Sequence, residues 1–367
     1  MADPRLERLA ETLVNYSLAV QPEQLVLLQG GVEAEPLLTE VYRQVLRAGG
    51  NPLLRVALPR TQEIFLREAN EQQLTRLTPL DRLVPEQADA SLIIVSDSNT
   101  RNLAGADPAK QRLAQAARRE LTHTYMARAA SGALRWCVTL FPTNAHAQDA
   151  DMSLDAFTDF VYSACHVDQP DPVSYWRGVG AEQQRLIDWL APKREAHITG
   201  PDTDLRLSIA GRRFINADGQ YNFPDGEIFT GPVETEVEGT IRFSFPSIVQ
   251  GREVEDIRLW FEAGRVVKAT AGKNQAYLDA MLDTDEGARR LGEFAFGTNF
   301  GIQQFTRNIL FDEKIGGTVH LALGAGYPQS GSLNQSAIHW DMICDLREGG
   351  QVTLDGEPFL TDGKYLV

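Results

Sequence analysis

His339 and Asp341 stand two residues apart in the run Ala337 to Leu346, which reads as a β-strand. Strand side chains alternate between faces, so an imidazole and a carboxylate project together while Trp340 and Met342 point the other way. Such a pair can ligate a divalent cation, and it can equally be a surface ion pair. His320 opens a second apolar run, Leu321-Ala322-Leu323, flanked by Gly316-Gly317 and by Gly324-Ala325-Gly326. Glycines at that density suggest backbone bent around something that comes close. Two carboxylates follow glycines, Glu227 in Asp225-Gly226-Glu227-Ile228 and Glu293 in Leu291-Gly292-Glu293-Phe294. Each precedes an apolar residue that reads as inward-facing, where an unpaired charge would be strongly destabilising. A metal is one compensation and a basic side chain the other, with Arg289, Arg290 and Lys314 close in sequence to Glu293 and Glu313.

The elements that must position these residues fall into two textures. In the first half, short apolar runs at Leu25 to Leu28, Leu53 to Ala57, Leu92 to Val95 and Trp136 to Leu140 alternate with helical patterns at Ala34 to Arg47 and Asp107 to Ala129. That alternation predicts a mainly parallel sheet covered on both faces, a Rossmann-like α/β domain over residues 1–195. Gly30-Gly31 after the first strand lacks the third glycine of a dinucleotide-binding loop and reads as a tight turn. The texture changes near Pro192 to Pro201. Residues 196–367 carry short β segments, such as Leu205 to Ile209, Thr240 to Phe245, Ile257 to Phe261 and Val266 to Thr270, with one helix near Asn274 to Leu282. This half is expected to be α+β with a largely antiparallel sheet carrying the metal site.

Composition narrows the function. Fifty acidic against 35 basic residues, a formal charge of −15, disfavours a nucleic-acid or anionic-membrane partner and fits solubility and cation binding equally well. The stretch Met1 to Tyr16 mixes charges with apolar residues at helical spacing, unlike a signal peptide, and no apolar run is long enough to cross a bilayer. Three scattered cysteines, Cys137, Cys165 and Cys344, read as plain thiols in a reducing cytoplasm.

Several spaced segments together resemble the aminopeptidase T family of thermophilic metallo-aminopeptidases. They are Pro224-Asp-Gly-Glu227-x-Phe-Thr-x-Pro232, Leu291-Gly-Glu293, Leu310-Phe-Asp-Glu313, His320-Leu-Ala-Leu-Gly324, Tyr327 and Asn334-x-Ser336-x-x-His339-x-Asp341; Trp136, Pro142-Thr143 and Met152 extend the likeness into the first half. The resemblance implies that Glu227, Glu293, His320, His339 and Asp341 ligate two divalent ions and that Tyr327 is catalytic. It implies cobalt as a good activator in vitro and a homodimer. Zinc leads on general affinity, with manganese also compatible with such ligands.

Five protein ligands exceed what one open zinc site takes. Four positive charges against three carboxylates leave room for a hydroxide that brings the cluster to neutrality. Paired cations lower the pKa of bound water from about 15.7 to about 7 and polarise the scissile carbonyl. The implied activity is hydrolysis of the N-terminal peptide bond of peptides with a free amine. Tyr327 would donate to the oxyanion, and Glu293 and Glu313 are the candidates for moving the proton. A dipeptidase or other amidohydrolase would use the same residues, and a nonenzymatic metal-binding relative would keep them without turnover. A glycoside hydrolase with paired carboxylates would leave the histidines and Tyr327 unexplained. Lys314 and the Gly316-Gly317 pair depart from the many family members in which Asn follows the Asp-Glu pair and the histidine comes sooner.

Overall fold

The structure, a computed structural model, describes residues 3–249 and 251–367 of the chain. It divides into two compact units, one formed by residues 1–174 with 219–224 and the other by residues 175–218 with 225–367. The division is thus discontinuous in sequence, since a short return segment belongs with the N-terminal residues.

The first unit is built on a parallel sheet. Its strands run in the order Asn51–Ala57, Leu25–Gly31, Ala90–Val95, Arg135–Leu140 and Asn222–Phe223. The central strands are buried as near-continuous apolar runs, the pattern expected when helices cover both faces. The last strand comes from the return segment, where Thr139 Oγ1 donates to Phe223 O at 2.6 Å. The helical pattern expected over residues 107–129 is two helices, Pro108–Ala117 and Arg119–Ala130. Arg118, with ψ near 0°, breaks them, and its guanidinium takes Ala114 O, a carbonyl of the first helix's last turn. The first helix, Pro4–Thr12, begins at an Asp3 cap; Met1 and Ala2 lie outside the described residues.

Two large antiparallel sheets and a two-stranded ribbon, Ser247–Val249 with Arg252–Val254, make the second unit, as the largely antiparallel sequence pattern predicts. One has eight strands in the order Arg265–Thr270, Ile257–Glu262, Val237–Phe243, Thr203–Ser208, Glu195–Gly200, Gln351–Leu354, Glu357–Thr361 and Lys364–Tyr365. The other has five, in the order His339–Asp345, Thr318–Gly324, Leu291–Gly297, Glu227–Thr230 and Ile215–Ala217. A single buried apolar cluster draws on both: Leu205, Leu207, Ile241 and Phe243 from the eight-stranded sheet, and Ile228, Phe294, Phe296, Leu321, Trp340 and Met342 from the five-stranded one. Burying a Phe or Leu side chain contributes roughly 1.5–3 kcal/mol, so this shared layer is the main source of the unit's stability. Among the described residues no helix is long and apolar enough to cross a membrane.

Candidate metal centre

The five-stranded sheet puts its apolar residues on one face and its polar ones on the other, and register decides which. Ala322 lies opposite Glu293 on one neighbouring strand and Asp341 on the other, while Gly324 lies opposite His339. Directly paired residues share a face, so Glu293, Ala322 and Asp341 form a row. Two residues away on the same face stand His320, opposite Ala295, and then Glu227, opposite Gly297. Between the functional side chains this face carries only the small residues Ala295, Gly297, Ala322 and Gly324, and the two glycines admit the backbone of Ile315 and Ile338, whose carbonyls a side chain there would strike. The other face of the same strands carries Ile228, Phe294, Phe296, Leu321, Leu323, Trp340 and Met342, all buried.

Local irregularities fine-tune this placement. A bulge at Gly292 shifts the pairing between Leu291 and Glu293, and a side chain on Gly292 would run into the carbonyls of Gly324 and Ala325. Glycine is thus required where Glu293 is turned onto the polar face. Gly226, at φ +115°, brings the chain against Asn299, whose Nδ2 donates to Asp225 O at 2.9 Å. Glu227 is held by its own carbonyl, which accepts from the buried Gln183 Nε2 at 3.0 Å. The His339 strand is tied down by Ser247, which donates to Asp341 O at 2.9 Å and accepts from Trp340 Nε1 at 2.6 Å.

All five residues expected to ligate metal come together. His320 is fully buried, with Nε2 at 3.1 Å from Glu227 Oε2 and 3.2 Å from Glu293 Oε1. His339, the exposed member, places Nε2 at 3.7 Å from Glu293 Oε2 and 3.4 Å from Asp341 Oδ1. Three overlapping trios of ligand atoms could each hold an ion: Glu227, Glu293 and His320; Glu293, His339 and Asp341; and Glu313, His320 and Asp341, with the atoms of each trio within 4.8 Å of one another. Glu313 thus joins the five. The basic residues split sharply. Arg289 pairs with Asp283, and Arg290 reaches the carbonyls of Glu234 and Ala263, so neither is the partner of Glu293. Lys314, by contrast, is fully buried and contacts both Glu227 and Glu313.

The protein's own groups fit divalent cations. Glu227 Oε2, Glu293 Oε2 and Asp341 Oδ1 are buried yet accept no hydrogen bond of good geometry, although each faces an imidazole. One Nε2–H cannot serve the two carboxylates that face His320, and unsatisfied buried acceptors are costly. His339 Nδ1 lies 2.7 Å from Ala325 O and donates to it, which leaves the Nε2 lone pair directed at the carboxylates. His320 Nδ1 has no such partner.

The electrostatics agree. Burial opposes charging of His339, yet Asp341 and Glu293 raise its pKa to about 10; His320 is driven up in the same way by Glu227 and Glu293. Burial also opposes ionisation of Glu227 and Asp341. Lys314 and His320 nevertheless hold Glu227 down at about 2, and His339 does the same for Asp341. Glu293 and Glu313 go the other way, Glu313 to about 8, because burial and neighbouring carboxylates outweigh the nearby cations. Positive charge is what this cluster demands, and protons supply it wherever metal does not.

Tyr327 follows the His320 strand and borders the site. It is 40% exposed, with its ring 5.5 Å from His339 in an edge-on arrangement and 5.3 Å from Phe229. Partial burial and the surrounding carboxylates raise its pKa above the ordinary value, so the phenol stays protonated. Its loop is fixed by Glu234, which accepts from Leu333 N at 2.6 Å and from Arg212 at 2.6 Å, and by Ser330 Oγ, which donates to Tyr327 O at 2.7 Å. Sequence reasoning did not single out Gln183, Asn299 or Glu234, and treated Lys314 as a nearby counter-ion and a departure from the family pattern. The available signals were a polar residue on the buried stripe of a helix and a lysine between a carboxylate and a glycine turn.

The fold and this cluster define a protein with a parallel α/β unit and an antiparallel unit whose polar sheet face could hold divalent cations. Residues 2–365 match the family model described as thermophilic metalloprotease (M29), and the chain belongs to that family. It is 26% identical to Aminopeptidase 2 of Geobacillus stearothermophilus, over 99% of this chain and 98% of that protein. Aminopeptidase T of Thermus thermophilus is also 26% identical, over 99% of this chain and 98% of its own. The solved structure of wild-type AmpT from Thermus thermophilus superimposes with a TM-score of 0.85, covering 99% of both chains at 26% identity. The family resemblance read from the spaced motifs is thereby borne out, and the enzyme is a metal-dependent peptidase.

Proposed function

We propose that this metalloprotease is an aminopeptidase that removes the N-terminal residue from peptides with a free amine, using two divalent ions held by Glu227, Glu293, His320, His339 and Asp341. The observation that carries the reading is the position of Glu293. Its Oε1 faces His320 and its Oε2 faces His339, so one carboxylate belongs to two separate ligand trios and can be shared between two ions. The names of the relatives, all aminopeptidases, support the exopeptidase reading. When bound, the ions supply an activated water and polarisation of the scissile carbonyl.

The chain's own residues do the rest. Both oxygens of Glu293 are directed at imidazoles, which leaves Glu313 better placed to hold and pass a proton. Burial and the neighbouring carboxylates raise its pKa above the ordinary carboxylate range, so a proton is held there more readily than on Glu227 or Asp341. Tyr327, protonated at neutral pH and beside His339, is suited to donate its O–H to the oxyanion that develops on the carbonyl.

Chelating the protein, adding back Zn²⁺, Co²⁺ or Mn²⁺ singly, and assaying aminoacyl chromogenic substrates tests the proposal. Activity is expected to vanish and return with metal, on free-amine substrates and not on their acetylated equivalents. Equal cleavage of both would defeat the exopeptidase reading. Cleavage confined to dipeptides would point to a dipeptidase instead.

A further inference from the structure

Lys314 is the one ammonium among the described residues that is buried within the acidic cluster, and it is 0% exposed. Nζ lies 2.9 Å from Glu227 Oε1, contacts Glu313 Oε1, and is 3.8 Å from Asp225 Oδ1. Its backbone is fixed on both sides: Lys314 N donates to Phe311 O at 3.0 Å, and Lys314 O accepts from Asn299 N at 3.0 Å. The ammonium is thus delivered to one place by the frame.

A fully buried lysine is rarely kept for stability alone, because an apolar side chain of similar volume often does as well or better. What this one does is divide Glu227. Oε1 is taken by the ammonium, and Oε2 is left facing His320 Nε2. Glu313 is likewise engaged through one oxygen. Without the ammonium, Glu227 would be free to offer both oxygens to one ion, and three carboxylates, Asp225, Glu227 and Glu313, would lose their shared cation.

We propose that Lys314 is a positioning residue of the metal centre, a resident cation that confines Glu227 to ligation through Oε2 alone and holds the carboxylates together before metal arrives. The inference rests on the two-metal reading above. It predicts two separable consequences of losing the side chain: a changed coordination number at the ion that Glu227 binds, and a greater dependence of folding on added metal.

The test uses the full chain with Lys314→Met and Lys314→Gln, compared with the wild type by Co²⁺ visible absorption and by thermal melting in chelator and in saturating Co²⁺. A ligand that binds only the folded state raises its stability, so the gap between the two melting points reads the metal linkage. In Lys314→Met the Co²⁺ bands should lose intensity as an extra oxygen joins the coordination sphere, and the gap should widen. Lys314→Gln keeps a donor for Glu227 Oε1 without the charge, so it should retain the wild-type bands while still showing the wider gap. A Met variant recoverable only in the presence of Co²⁺ supports the proposal, being the same dependence in extreme form.

Wild-type bands in the Met variant, with both melting points lowered equally, would overturn it and make Lys314 a packing residue. If the Met variant is recovered under neither condition, the Gln variant decides: retained bands with a wider gap support the proposal, and altered bands, an unchanged gap or failure to fold overturn it. Absence of Co²⁺ binding by the wild type would defeat the metal reading itself, an outcome distinct from any of these.

Discussion

Two histidines are buried beside carboxylates in this molecule, and they behave in opposite ways. His146, in the helix Asn144–Asp149 of the N-terminal unit, has Nε2 3.7 Å from Asp97 Oδ2, but the Asp97 side chain is 46% exposed and water screens it. Burial wins there, and the His146 pKa falls below its ordinary value. His320 is buried among carboxylates that are themselves buried, and their field overrides the cost of desolvation. The difference teaches that a buried imidazole is driven towards positive charge where the sheet brings more than one desolvated carboxylate to the same nitrogen. One partner at the surface leaves a neutral core histidine.

The largest test of that contrast is removal of each ring. His320→Ala should abolish stoichiometric metal binding and with it essentially all peptidase turnover, measured by metal analysis after gel filtration and by release of free amino acid. His146→Ala should lower stability and leave metal content and turnover near wild type. An equal loss of metal in the two variants would break the comparison.

Next in size is Tyr327→Phe. It keeps the edge-on ring beside His339 but removes the O–H, so metal content should be unchanged while turnover falls by a factor of a hundred or more, about 3–4 kcal/mol of transition-state stabilisation. Near-normal turnover would remove Tyr327 from the chemistry and leave it as packing against His339.

The smallest effect is in pH. Because the folded-state pKa of His146 is depressed, the unfolded chain binds more protons below about 6.5, so the stability present at neutral pH is lost as pH falls through that value towards the folded pKa. Urea unfolding of His146→Gln should show a flatter acid limb than wild type over the same range. An identical slope would mean that Asp97 compensates the ring more fully than its exposure suggests.

Much of the fold was legible in the chain. Alternating apolar runs and helical patterns gave the parallel sheet, with strand positions within a few residues of those observed at Leu25–Gly31, Ala90–Val95 and Arg135–Leu140. Period-two alternation separated His339 and Asp341 from Trp340 and Met342 correctly, because side-chain direction in a strand is a local property. The spaced motifs carried the family. What local pattern could not supply was pairing. The return segment 219–224, whose strand pairs with Arg135–Leu140, bears no mark of its destination, since two residues of strand carry almost no periodic signal.

Lys314 shows the same boundary between sequence and structure within the site. As a letter beside Glu313 it suggests an ordinary ion pair, and that contact is present, yet its second partner, Glu227, is 87 residues away. By itself the sequence determined the kinds of candidate ligand, their order along the chain and the faces on which they stand, because residue chemistry and strand alternation are local. Only the tertiary structure decided that Glu293 faces two imidazoles at once, that Ala322 lies between Glu293 and Asp341 in one row, and that a lysine occupies the other oxygen of Glu227. Those facts depend on register between strands distant in sequence, which long-range packing and the bulge at Gly292 fix together.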